Sequence, residues 1–242
     1  MRVADWVLDV PNPRALDEMH VTQAMSENHL TAAIPYPCAP SRDRRCWLQQ
    51  VLEPTRSVVF LNTDTVPAPE VRIGELVHNP VEATLVSQIV ETLIHCGLAE
   101  DSLGVIAPYK AQLKLLQHQL HHRPGLEIHT VDKYQGRDKD CIIMTFVRAN
   151  PNHNIGELLK DWRRINVALT RARKKLILVG SIQTLESASL YMELVNVVNS
   201  KNWVVSLPFA AHQNHIFPSL LSSESPNTAT EAQCNSTNKN GP

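Results

Sequence analysis

Two stretches of this 242-residue chain hold residue types that can handle phosphate. The first is Thr130-Val131-Asp132-Lys133-Tyr134-Gln135-Gly136-Arg137-Asp138-Lys139-Asp140, a polar run around one glycine between two apolar runs. Gly136 permits close backbone approach, and Thr130, Gln135 and Arg137 supply donors suited to phosphate oxygens. The second, residues 163–175, reads Arg-Arg-Ile-Asn-Val-Ala-Leu-Thr-Arg-Ala-Arg-Lys-Lys. Ile165, Leu169 and Ala172 recur at steps of four and three and so share an apolar helix face. Arg164 and Arg171, seven apart, share a different stripe. A guanidinium fixed on a rigid element can stabilise charge on a transferring phosphoryl group, and Arg171 is the candidate for that role. Lys174 and Lys175 read instead as a solvated basic helix end that complements the helix dipole.

These stretches stand out against the charge of the whole. Lys plus Arg number 23 and Asp plus Glu 24, a net −1 that excludes a uniformly basic nucleic-acid coat. Residues 127–175 nevertheless hold eleven Lys or Arg against six Asp or Glu, a local +5. None of the eight glycines precedes a lysine, so no phosphate loop ending in Gly-Lys-Ser/Thr exists in this sequence. The five cysteines are scattered without a Cys-x-x-Cys pair, which indicates neither a zinc site nor a disulfide framework. The expected setting is a reducing, intracellular one, with Cys96 and Cys141 as small buried hydrophobes. His118, His121 and His122 have no acidic or cysteine partner at ligand spacing, so no metal site is expected. No apolar run approaches the ~20 residues of a membrane span, and no apolar leader opens the chain.

The elements that must position these residues follow from proline placement and periodicity. Residues 1–80 carry nine prolines, residues 81–207 three and residues 208–242 four, so regular structure concentrates in the middle. Strands are expected at residues 58–61, 103–107, 126–131, 141–147, 176–179 and 204–207. A helix follows Asn79-Pro80 through Val81, Leu85, Ile89, Leu93 and Cys96, and Gly97 ends it. Further helices are expected through Leu113, Leu116 and Leu120, at residues 162–173 and at residues 185–198. Strands alternating with helices, with apolar runs too continuous to be half-exposed, predict an α/β fold: a parallel sheet with helices on both faces. Such open sheets place ligands at strand ends. The expected organisation is an unassigned N-terminal segment at 1–55, the α/β domain at 56–208 and a disordered Ser-, Asn- and Thr-rich tail at 209–242.

The two phosphate-suited stretches resemble motifs V and VI of superfamily 1B helicases. Gly104-Val105-Ile106-Ala107-Pro108-Tyr109-Lys110-Ala111-Gln112 resembles the strand-to-helix segment that precedes those motifs. Within the superfamily, residues 60–70, 130–139 and 156–164 look most like the eukaryotic DNA replication helicase–nuclease (Dna-two type). The resemblance covers roughly residues 47–208; the first 46 residues match no motif of the family. It implies a RecA-like second motor lobe in which Arg171 reaches the γ-phosphate of ATP as an arginine finger. Gln135 and Gly136 match the motif V turn that links nucleotide to strand. Asp138 falls where many relatives place a Glu near the ribose. Thr130, with Arg137, would face the nucleic-acid backbone, and Tyr109 and Gln112 would line the strand or the cleft.

The same resemblance implies single-stranded DNA as track, five-prime to three-prime movement, and a nuclear location. ATP and Mg would be bound mainly by a first RecA-like lobe, the obligatory partner, because this sequence has no strand ending in Asp-Glu; Asp17-Glu18 follows no apolar strand. The Gln-Tyr-Arg segment that supplies a second phosphate-contacting arginine in relatives is absent too. Nor does any Asp-x-Lys or Glu-x-Lys occur to build a nuclease centre, and no four cysteines are spaced for an iron–sulfur cluster. The sequence therefore reads as half of a helicase motor whose parent is an ATP-dependent DNA helicase with a separate nuclease domain. Two alternatives remain open: a truncated, non-catalytic nucleic-acid-binding paralogue, and a superfamily 1B relative acting on RNA.

Overall fold

The structure, a computed structural model, describes residues 46–215. The expected disordered tail falls largely outside these residues, as does most of the unassigned N-terminal segment.

The described chain opens with α1 (Trp47–Leu52) and β1 (Val58–Asn62), then a hairpin of β2 (Val71–Ile73) and β3 (Leu76–His78). Helix α2 (Pro80–His95) starts where the sequence signals it: the Asn79 side chain accepts the Glu82 N–H at 3.0 Å, and Pro80 occupies the first turn. Gly97, at φ +96°, ends it in the left-handed region. Next come β4 (Leu103–Ile106), α3 (Lys110–Gln119), β5 (Glu127–His129) and β6 (Lys139–Thr145). The chain then forms α4 (Glu157–Lys160), α5 (Trp162–Leu169), β7 (Ala172–Gly180), α6 (Ile182–Leu185), α7 (Ser189–Ser200) and β8 (Val204–Ser206).

Six strands form one sheet in the order β5-β4-β6-β7-β1-β8, every pair parallel. Alternate residues of the central strands enter two separate cores. Val59, Leu61, Val105, Ile143, Ile177 and Val179 pack under α1, α2 and α3. Val58, Phe60, Ile142, Met144, Leu176 and Leu178 pack against α5 and α7. Both faces are covered, which is why the strands read as unbroken apolar runs. The expected α/β architecture is therefore the observed one.

Several boundaries differ from the sequence reading. The helix expected at 162–173 stops at Leu169, because Ala172 is already paired with Lys139 in the β6–β7 ladder. That ladder outcompetes the apolar period that had placed Ala172 on the helix. The helix expected at 185–198 begins later, as α7 (Ser189–Ser200), and the separate short α6 precedes it. The β2–β3 hairpin turns through Gly74 at φ +60° and was not anticipated. Lys175 is no solvated helix end: it lies in β7, 5% exposed, and donates to the carbonyls of Glu53 at 3.0 Å and Arg56 at 2.8 Å. Burial pulls its ammonium down to about 8. Cys96 and Cys141 are free and buried as expected, whereas Cys46 is disulfide-bonded, which the scattered spacing did not indicate. No helix among the described residues is long and apolar enough to cross a membrane.

Candidate phosphate-handling site

Strands β5 and β6 both run parallel to β4, so the residues between them must travel the length of the sheet. Residues 130–138 form this crossover. Thr130 stands at the C-terminal edge of the sheet, where β5 ends, and Asp138 at the N-terminal edge, where β6 begins. The Thr130 carbonyl accepts the N–H groups of Lys133 and Tyr134, both at 3.1 Å, starting a short 3-10 turn at Asp132–Tyr134. Tyr134 is fully buried, and its ring fills the notch over Gly104 in β4, where any Cβ would collide with the phenol oxygen. Burial pushes the Tyr134 phenol pKa up. Gly136, at φ +77°, then turns the chain into β6.

Helix α5 lies along this crossover and is tied to it at both ends. At the C-terminal edge of the sheet the Arg164 Nε stands 3.2 Å from Asp132 Oδ1. At the N-terminal edge Arg171 occupies the two-residue link between α5 and β7. Its Nε donates to the Val167 carbonyl at 3.0 Å, its Nη2 to Thr170 Oγ1 at 3.1 Å and its Nη1 to Asp138 Oδ1 at 2.8 Å. A guanidinium has five N–H donors, so two are left for a ligand, a number that fits a phosphate oxygen pair. The side chains of Arg171 and Asp138 are 21% and 44% exposed, so the pair sits at the surface.

The other sequence candidates divide between the two edges. Gln135 and Gly136 are exposed on the approach to Asp138. Arg137 stands at the N-terminal edge too, 3.1 Å from Glu127 Oε2, so the fold separates it from Thr130. Lys139 completes that cluster, and its hydrogen bond, followed by the one from Arg137, holds the Glu127 carboxyl below its usual range. Tyr109 and Gln112 are buried beneath the C-terminal edge. Gln112 accepts the Asn79 N–H at 2.7 Å and donates to the Asn79 carbonyl at 3.1 Å. Arg148 donates to Tyr109 Oη at 3.2 Å and to Glu70 Oε2 at 2.7 Å.

This edge holds residues that the sequence reading missed. Glu82, fully buried, accepts from Thr145 Oγ1 and from the Val147 N–H at 2.9 Å. Burial raises its carboxyl to about 7. Asn79 had been read only as a helix start, yet its Nδ2 also donates to Ala68 O at 2.9 Å and Val147 O at 3.2 Å. No local spacing signals these partners, which lie far apart in the chain. His122 likewise finds Glu91 at 2.8 Å across 31 residues. Among the described residues no group of three or more His, Cys, Asp or Glu could hold a metal.

Most of the basic side chains of this stretch are ion-paired. Within residues 127–175, Arg137, Lys139, Arg148, Lys160, Arg164, Arg171 and Lys174 each face a carboxylate. Lys133, Arg163 and Arg173 are exposed and form no ion pair among the described residues.

A six-stranded parallel sheet flanked by helices, with a crossover joining its two edges, is a RecA-like α/β arrangement. The comparisons with known proteins narrow this. A family profile described as an AAA domain matches residues 17–183, and the chain belongs to that family. The match reaches into the first 46 residues, which carry no recognised motif. The chain is 51% identical over 163 residues to the DNA replication ATP-dependent helicase/nuclease JHS1 of Arabidopsis thaliana, covering 66% of this chain and 12% of that protein. With the DNA replication ATP-dependent helicase/nuclease DNA2 of Homo sapiens it shares 44% over 169 residues, 69% and 16% of the two. With that of Saccharomyces cerevisiae it shares 42% over 194 residues, 76% and 13%. The chain therefore spans only 12–16% of the length of these relatives.

Proposed function

We propose that this chain is the second RecA-like lobe of an ATP-dependent helicase motor that moves five-prime to three-prime on single-stranded DNA in the nucleus. The observation that carries this reading is the placement of Arg171: a guanidinium with two uncommitted N–H groups at one sheet edge, joined by one crossover to Thr130 at the other. ATP with Mg is held mainly by a first lobe, since this sequence has no Gly-Lys phosphate loop. When that lobe closes on this one, the free N–H groups of Arg171 meet the charge that develops on the transferring γ-phosphoryl group. Gln135, Gly136 and Asp138 frame the same edge. Thr130 faces the nucleic-acid backbone at the far edge, and the crossover connects the two. Tyr109 and Gln112 support the far edge from within, through Arg148 and Asn79. Any nuclease activity of the kind the relatives' names carry belongs to residues outside this sequence.

The test is Arg171→Ala in a protein that joins this chain to its first lobe. Single-strand-stimulated ATP hydrolysis is expected to fall about a thousandfold with the melting temperature little changed. Undiminished hydrolysis would remove Arg171 from the role.

A further inference from the structure

We propose that Asp138 is the positioning residue for Arg171, fixing the roll of its guanidinium so that one N–H on Nη1 and one on Nη2 stay available to a phosphate. The inference rests on the arginine-finger reading above and deepens it. Arg171 is not carried by a helix. It sits in the link after α5, where its two other contacts are Val167 O in the last turn of that helix and Thr170 Oγ1 in the link itself. These hold the arm but do not register it against the crossover. The Nη1–Oδ1 bond at 2.8 Å to Asp138 does. The two side chains need no long reach, because the Lys139 N–H donates to the Arg171 carbonyl at 3.0 Å and brings the starts of β6 and β7 together.

Charge separates this role from a simple electrostatic one. A carboxylate beside the guanidinium weakens the positive field that a γ-phosphate feels, so Asp138 opposes catalysis unless orientation matters more. Three acceptors around one planar fork leave it a single orientation, and misplacement of a reacting group by ~1 Å can cost ~100-fold in rate. The pair is partly exposed, so it contributes little to folding, and its variants are expected to fold.

In the protein carrying both lobes, Asp138→Ala is expected to lower kcat for ATP about tenfold or more with little change in KM. Asp138→Asn keeps an acceptor oxygen and is expected to retain most of the rate. On an Arg171→Ala background, Asp138→Ala is expected to have no further effect on kcat, because the residue acts only through the arginine. A direct contact of Asp138 with the ribose predicts the opposite pattern: a raised KM that persists without Arg171 and an altered preference between ATP and its 2′-deoxy form. That pattern, or a wild-type kcat for Asp138→Ala, overturns the proposal. If Arg171→Ala alone leaves hydrolysis intact, the arginine-finger reading fails instead, whatever Asp138 does.

Discussion

Glu82 shows how a single residue can matter without touching a ligand. It is fully buried among the Thr145 hydroxyl, the Val147 N–H and the Asn79 amide, with no cation paired to it among the described residues. Burial lifts its carboxyl from 4.5 to about 7. Between those values the folded chain holds a proton that the unfolded chain releases. Stability contributed by this group is therefore present at low pH and lost as pH rises from about 4.5 to about 7, by on the order of 3 kcal/mol. Glu82→Gln is expected to remove this slope, so urea unfolding of the two proteins at pH 5, 6, 7 and 8 should give curves that diverge with pH. Parallel curves would mean that Glu82 titrates normally. Nothing near Glu82 in sequence announces this behaviour. Arg171 was legible because it lies in one contiguous basic stretch, although its Asp138 partner is 33 residues away, whereas the Glu82 environment is assembled from β6 and the segment after it, 63 and 65 residues further along the chain.

At the scale of elements, the strands and the order of helices could be read because buried parallel strands leave unbroken apolar runs. What could not be read was competition between elements. Ala172 fits the apolar face of α5 by period but pairs with Lys139 in the sheet, and Lys175 has the charge of a helix end yet the hydrogen bonds of a buried strand residue. The crossover at 130–138 is held to the sheet by the buried side chains of Val131 and Tyr134, of which the Tyr134 ring is the larger anchor. That anchor can be tested from the opposite side. In Gly104→Ala the added methyl would strike the Tyr134 phenol and stand 3.0 Å from Ile142 Cδ1, between two packed side chains. A loss of about 1–3 kcal/mol is expected, seen as a lower urea midpoint with an unchanged slope. An unchanged midpoint would mean that the crossover lifts off the sheet at no cost and is not the rigid link between edges that the reading requires.

For the whole molecule the question is what a chain of net −1 does with a local +5. Most of the cations behind it are held in ion pairs, so few unpaired ones are left to release counterions from a single strand. Position selects further among those few. Helix α5 leads into β7 and must run against it, so its first turn lies at the C-terminal edge with Thr130, while Arg173 lies at the N-terminal edge. Arg163 is then the exposed cation of α5 at that edge, with no ion pair among the described residues. Its neighbour Arg164 stands 3.2 Å from Asp132 and 3.7 Å from Asp161. These adjacent arginines form a matched pair for salt titration of single-strand binding by fluorescence anisotropy. Arg163→Gln is expected to reduce the slope of log Kobs against log salt by about 0.7, the value for one phosphate contact on a single strand. Arg164→Gln and Arg173→Gln are expected to leave the slope unchanged, the first because its charge is already matched, the second because it faces the other edge. An equal loss of slope from all three would show that binding follows bulk charge and not the edge at which α5 meets the crossover.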